Sequence, residues 1–137
     1  KKTLPLTIEG TSMPMAQNHI ENLGSAQVKS SLLASFLNIP GNSSIEEKKI
    51  SRNHTEILLK KISANIKIKK LKKGNLISIK GQKNLRSFNN YTVGSDPSSA
   101  AFLIALCVMA KDSKLIIHKV ICNDTRIGFI NSFPFQS

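Results

Sequence analysis

The stretch ENLGSAQVKSSLLASFL, residues 21–37, puts several hydrogen-bonding and charged groups at the start of a helical pattern. Its large apolar residues fall at Val28, Leu32, Leu33, Phe36 and Leu37, a spacing that follows one helix face and predicts a helix from about Ser25 to Asn38. Ser25 follows Gly24 at the N-cap position, and Ala26, Gln27 and Lys29 fill the first turn. Such a start has two uses. A serine cap alone stabilises a helix by about 1 kcal/mol. The same helix end also offers unpaired backbone N–H groups and about half a positive charge, which suit a phosphate. On residue types alone the cap is sufficient and the phosphate site is its alternative.

Other chemistry-bearing residues have plainer uses. Asp96, ahead of Pro97-Ser98-Ser99, reads as a helix cap with Pro97 at the first helical position. His54 falls in the first turn of an outer helix, and His118 in an alternating strand, both as structural or surface imidazoles. Cys107 and Cys122 lack metal-type spacing and read as reduced thiols of a cytoplasmic protein.

The elements that would position these groups alternate in type. Thr3–Ile8 reads as a short strand, and residues 11–23 as loop with a possible strand. After the first helix, stopped by Pro40-Gly41, Ser43–Ile50 reads as a polar strand. Asn53, with Glu56 three residues on, opens a second helix whose buried stripe is Ile57, Leu58 and Ile62. NIKIKK and NLISIKG alternate with period two across Lys72-Lys73-Gly74-Asn75, a hairpin with one buried face. A third helix opens at GSDPSS and is apolar nearly all round, so it is expected to be enclosed in the whole protein and poorly covered in this partial chain. SKLIIHKVI follows as a strand, and CNDTRIGFINSF as the start of a further helix in which Arg126 ties loop to helix.

The pattern recurs. Ser25 and Ser99 open helices 74 positions apart, and NHTEI from Asn53 returns as NDTRI from Asn123, 70 positions on. The order within this repeat of roughly 70 residues is helix, strand, helix, strand, strand. The fold class is therefore α+β (mixed α/β), built of repeated βαβαββ units. Residues 1–10 read as the end of a preceding unit, 11–90 as one unit, and 91–137 as the start of the next. The chain is expected to be a single partial domain, part of something longer.

Composition narrows the class. The 137 residues are 40% hydrophobic, and no apolar run reaches the ~18 residues of a membrane span. The N-terminus, with Pro5 and Glu9, does not resemble a signal sequence. The net charge of +12 comes from 17 Lys and only 3 Arg, Arg52, Arg86 and Arg126, with 5% aromatics. Nucleic-acid readers lean on arginine and stacking aromatics, so the lysines read as solvated outer faces. A positive field also favours an anionic small-molecule substrate.

Five motifs in order, LPLTIEG, GSAQVKSSLLASFL, SRNHTEILLK, GSDPSSAAFLIAL and NDTRIGFI, resemble 5-enolpyruvylshikimate-3-phosphate synthase from Leu4 to about Ser132. The resemblance implies two lobes of βαβαββ units with the active site in the cleft between them. It implies transfer of the enolpyruvyl group of phosphoenolpyruvate to the 5-hydroxyl of shikimate 3-phosphate, on the route to chorismate and the aromatic amino acids. No metal or organic cofactor is implied. Its partners would be those two substrates and the remaining lobe of the same enzyme, with no membrane and with nucleic acid disfavoured. Ser25, Ala26 and Gln27 match the positions that hold shikimate 3-phosphate, and Arg52 matches a guanidinium on the substrate side of the cleft, where two parallel bonds to an oxyanion suit arginine. Lys29 and Ser51 are possible supporting residues. The family's acid–base carboxylates match nothing in this segment, so the 137 residues alone are expected to be catalytically silent.

Some residues depart from the family pattern. GSDPSS lacks a loop proline, Asp124 and Ile127 replace a common proline and threonine, and Pro134 breaks the last helix. Two other functions compete. The sister transferase acting on UDP-N-acetylglucosamine shares the fold but keeps a reactive loop cysteine, whereas Cys107 is mid-helix and Cys122 follows a strand. A small basic nucleic-acid-binding domain would show steeply salt-dependent binding.

Overall fold

A helix that buries one stripe and strands that bury one face must share a core, and the first part of the chain resolves that need with one sheet. The structure, a computed structural model, describes residues 4–88, 90–123, 128, 129 and 132. It divides into two compact units between Ser87 and Phe88.

In the first unit the order is β1 (Asn18–Glu21), α1 (Ala26–Leu37), β2 (Asn42–Glu47), α2 (His54–Lys61), β3 (Ile66–Lys70) and β4 (Asn75–Lys80). This is one βαβαββ unit. Its four strands lie in the order β1-β2-β4-β3. β1 and β2 run parallel, Asn18 opposite Ser44, so they need a crossover, and α1 supplies it. The other pairs are antiparallel, with Ile45 opposite Ile77 and Ile66 opposite Ile79. The core joins Leu33 and Phe36 of α1, Leu59 of α2 and the sheet residues Ile45, Ile66, Ile77 and Ile79.

The helix expected over 25–38 is α1, with Ser25 as N-cap and Asn38 as C-cap. The expected hairpin is β3–β4, turned at Gly74 with φ +84°. There a Cβ would lie 1.8 Å from the carbonyl oxygen of Glu47, too close for any side chain. Gly74→Ala must therefore displace the end of β2 as well as strain the turn. We expect it to lower the urea midpoint of the protein by far more than an alanine in an open turn would.

Three expectations change in this unit. Residues 4–8 form no strand, and Leu4, Leu6 and Ile8 are exposed, because no strand among the described residues pairs with them. The fully buried residues of α2 are Glu56 and Leu59; of the expected stripe Ile62 packs against the core, Leu58 is half-buried and Ile57 points outward, and the Glu56 carboxylate goes to Lys29 instead of folding back on the cap. The strand expected before β3 stops at Glu47, whose side chain turns inward.

In the second unit α3 (Pro97–Met109) starts as its sequence directs. Asp96 accepts from the N–H groups of Ser98 (3.2 Å) and Ser99 (3.3 Å), and Pro97 is the first helical residue. Among the described residues the helix is poorly covered, as expected of the segment by itself. Pro97 and Ala100 are buried, but Phe102 is 80% exposed and Leu103, Leu106 and Met109 also face outward. One flank of α3 meets Leu115, Ile117 and Val120 across an apolar depression of about 350 Å³. The segment 113–121 is not a strand: Lys119 takes φ +58° and pairing is limited to a bridge between Ser95 and Val120. Most of the helix expected after Cys122, with Asp124, Arg126, Ile127 and Pro134, lies outside the described residues.

Candidate functional site

The start of α1 is braced before the helix begins. Glu21, the last residue of β1 and 2% exposed, accepts from the N–H of Leu23 through one carboxylate oxygen and of Gly24 through the other, both at 2.8 Å. Gly24 takes φ +74°. Ser25 then caps: its Oγ accepts from the Val28 N–H at 3.3 Å, and its carbonyl receives the Lys29 N–H at 3.1 Å. The N–H groups of Ala26 and Gln27 precede that first intrahelical bond, so helix geometry gives them no acceptor within α1.

Beside this helix end is an open depression of about 270 Å³, lined by Ala26, Gln27, Ser30, Arg52, His54 and Thr55. Three of the residues singled out in the sequence, Ala26, Gln27 and Arg52, thus meet in one place, from α1 and from the loop ahead of α2. Ser25 is not among the lining residues; its hydroxyl is occupied as the cap and also reaches Gln27 Oε1 at 3.4 Å. Ser30, His54 and Thr55 are additions, and Ser30 Oγ lies 2.6 Å from Thr55 Oγ1, joining α1 to α2. Their signal in the sequence was slight, since each is a small or ambivalent residue in a first or second helical turn. Arginine, histidine and the exposed amides of a helix start together can receive an oxyanion.

Lys29 and Ser51, the supporting candidates, turn away from the depression. Lys29 is 1% exposed, so a solvent-facing lysine is excluded. Its Nζ donates to Glu47 Oε1 at 2.9 Å and to Glu56 Oε1 at 2.7 Å. Ser51 gives both its N–H (2.8 Å) and its hydroxyl (2.7 Å) to the same Glu47 oxygen, which leaves that hydroxyl proton with none to give a ligand. Asn75 donates to Glu47 Oε2 at 3.2 Å. Burial pushes the Glu47 carboxyl upward, but the bonds from Ser51, Lys29 and Asn75 outweigh it and hold it below its ordinary 4.5. The sign follows. A depressed carboxyl stabilises the fold above about 4.5 and loses that contribution as pH falls below it. Urea midpoints taken at descending pH should therefore drop steeply for the native protein and less steeply for Glu47→Gln.

Among the described residues no His/Cys/Asp/Glu group of three or more is placed to hold a metal ion, and no helix is long and apolar enough to cross a membrane. Cys107 and Cys122 are free thiols.

A sequence profile of EPSP synthase (3-phosphoshikimate 1-carboxyvinyltransferase) matches residues 1–133. The 3-phosphoshikimate 1-carboxyvinyltransferase of Helicobacter pylori (strain P12) is 40% identical over 124 residues, 90% of this chain and 28% of that protein. The enzyme of that name from Bartonella tribocorum is 38% identical over 130 residues, 94% of this chain and 29% of that one. The solved EPSP synthase from Acinetobacter baumannii superposes with a TM-score of 0.69 at 31% identity, covering 85% of this chain and 26% of the other. The chain thus spans a little over a quarter of the length of the curated relatives it matches. With a βαβαββ unit in place, a fold shared with a solved relative at this identity and a profile match along nearly its whole length, the chain belongs to the EPSP synthase family.

Proposed function

We propose that this chain is part of an enolpyruvyl transferase that moves the enolpyruvyl group of phosphoenolpyruvate to the 5-hydroxyl of shikimate 3-phosphate, releasing phosphate. The reaction serves chorismate and aromatic amino acid synthesis in the cytoplasm and needs no metal or organic cofactor. The task of this segment is to hold shikimate 3-phosphate. Its 3-phosphate meets the amide end of α1 at Ser25 and Ala26, Gln27 reaches toward the ring and the donor, and Arg52 closes the other side. The remaining lobe of the enzyme supplies the acid–base groups, because proton transfer requires them within hydrogen-bond reach of the reacting carbon.

One observation carries this reading: Ala26 and Gln27 from α1 and Arg52 from a loop 25 positions beyond line the same depression. A helix start supplies fixed donors and positive potential, and a guanidinium adds a two-pronged partner, which together favour a phosphate monoester over a neutral ligand. The test is to add both substrates to the full-length protein and follow phosphate release, then to titrate shikimate 3-phosphate alone and follow the amide resonances of Ser25, Ala26, Gln27 and Arg52. Turnover with shifts centred on those four residues is the expected result. Absence of turnover, or shifts confined to other parts of the fold, would overturn the proposal.

A further inference from the structure

We propose that Lys29 is a positioning residue for substrate binding, whose buried ammonium, shared between Glu47 and Glu56, sets the separation between the start of α1 and Arg52. The inference deepens the shikimate 3-phosphate reading and rests on it.

The depression is assembled from three segments: the first turns of α1, the loop at 51–53 and the first turn of α2; the Ser30–Thr55 hydroxyl pair joins the two helices but does not touch Arg52. Lys29 connects all three. Its own helix contributes Ala26, Gln27 and Ser30 to the depression, one turn back and one residue on. Through 2.9 Å to Glu47 Oε1 it reaches the oxygen that also takes the N–H and hydroxyl of Ser51, so the residue before Arg52 is held by backbone and side chain at once. Through 2.7 Å to Glu56 Oε1 it fixes the residue after Thr55, which lines the depression and meets Ser30. The other oxygen of Glu56 is buried with no hydrogen-bond partner among the described residues, so Lys29 is what holds that carboxylate in place.

Stability alone is a poor reason for such a group. Two carboxylates and one ammonium withdrawn from water cost much of what their attraction returns, and apolar residues of similar volume often replace buried ion pairs without loss. What an apolar side chain cannot do is fix two acceptors at hydrogen-bond distance from one point on α1. Sub-ångström placement matters for a ligand held from two sides, because an error of about 1 Å can cost on the order of a hundredfold.

The experiment is a double-mutant cycle on the full-length enzyme with Lys29→Met and Arg52→Ala, reading KM for shikimate 3-phosphate, KM for phosphoenolpyruvate and melting temperature. Lys29→Met should raise KM for shikimate 3-phosphate about tenfold or more and leave KM for phosphoenolpyruvate within about twofold. In the Arg52→Ala background the same substitution should change KM for shikimate 3-phosphate by less than about twofold, because there is no guanidinium left to misplace. A folded Lys29→Met enzyme with unchanged KM, or an effect equally large with and without Arg52, would overturn the positioning role while leaving the binding site intact. If Arg52→Ala itself leaves KM unchanged, the site reading fails and this inference with it. Should Lys29→Met fail to fold, Glu56→Gln, which keeps the volume and an acceptor for Lys29 but removes a charge, runs through the same cycle; coupling to Arg52 sustains the inference and strict additivity ends it.

Discussion

Replacing Lys29 by methionine should lower the stability of the protein by about 3–5 kcal/mol, the typical loss when one member of a buried ion pair is removed. The reason lies in what remains. Glu47 keeps three donors, from the Ser51 N–H, the Ser51 hydroxyl and Asn75. Glu56 is 2% exposed and loses the cation on Oε1 while Oε2 has no hydrogen-bond partner among the described residues. The penalty therefore concentrates on Glu56, and it is the penalty of an uncompensated buried charge, not the value of a contact. That distinction is testable in denaturant. Lys29→Met/Glu56→Gln should recover most of the lost stability, since the amide is uncharged and nearly isosteric, whereas Lys29→Met/Glu47→Gln should recover less. Equal recovery in both doubles, or none in either, would show that the charge on Glu56 is not what makes the single variant costly.

Lys29 also marks where the sequence stops being informative. Its neighbours obeyed local rules: apolar spacing and a serine cap placed α1 at Ala26–Leu37, Asp96 and Pro97 placed the start of α3, and period-two alternation around Gly74 placed the hairpin. Each is a short-range signal read within one element. The hidden charges follow no such signal. β2 reads as polar, NSSIEE, yet Ser43, Ile45 and Glu47 share its buried face, because a glutamate at its end is satisfied by Lys29, 18 positions away, and by Asn75, 28 positions away. For the same reason Glu56 passes for a capping residue in the sequence and is a core residue in the fold. The errors at residues 4–8 and 113–121 have the opposite origin. Both carry apolar alternation fit for strands, but a strand exists through its neighbour, and the described residues offer them none beyond the bridge at Val120. Of the residues that line the depression, Ala26, Gln27 and Arg52 were singled out in the sequence; Ser30 and Thr55 were not, since a hydroxyl pair across two helices leaves no spacing to read.

If α1 and Arg52 hold shikimate 3-phosphate as proposed, Arg52→Ala should weaken its binding to the full-length protein by roughly a hundredfold, the scale expected when a charge-assisted pair with an oxyanion is truncated and the anion keeps its other donors. Arg52 is half-buried at the edge of the depression, so removing it leaves no buried cavity, and the melting temperature should barely move. Lysine at this position should restore only part of the affinity, because an ammonium supplies the charge without the two parallel N–H donors. The salt response separates charge from geometry: exposed ion pairs are screened with a Debye length of about 8 Å at physiological ionic strength, so affinity of the native enzyme should fall with added salt more steeply than that of Arg52→Ala. Calorimetric titration of the three proteins at two salt concentrations decides the matter. Equal affinity of the native and alanine proteins would mean that the depression does not hold the phosphate, and the site reading would fail; equal affinity of the native and lysine proteins would reduce the role of Arg52 to charge.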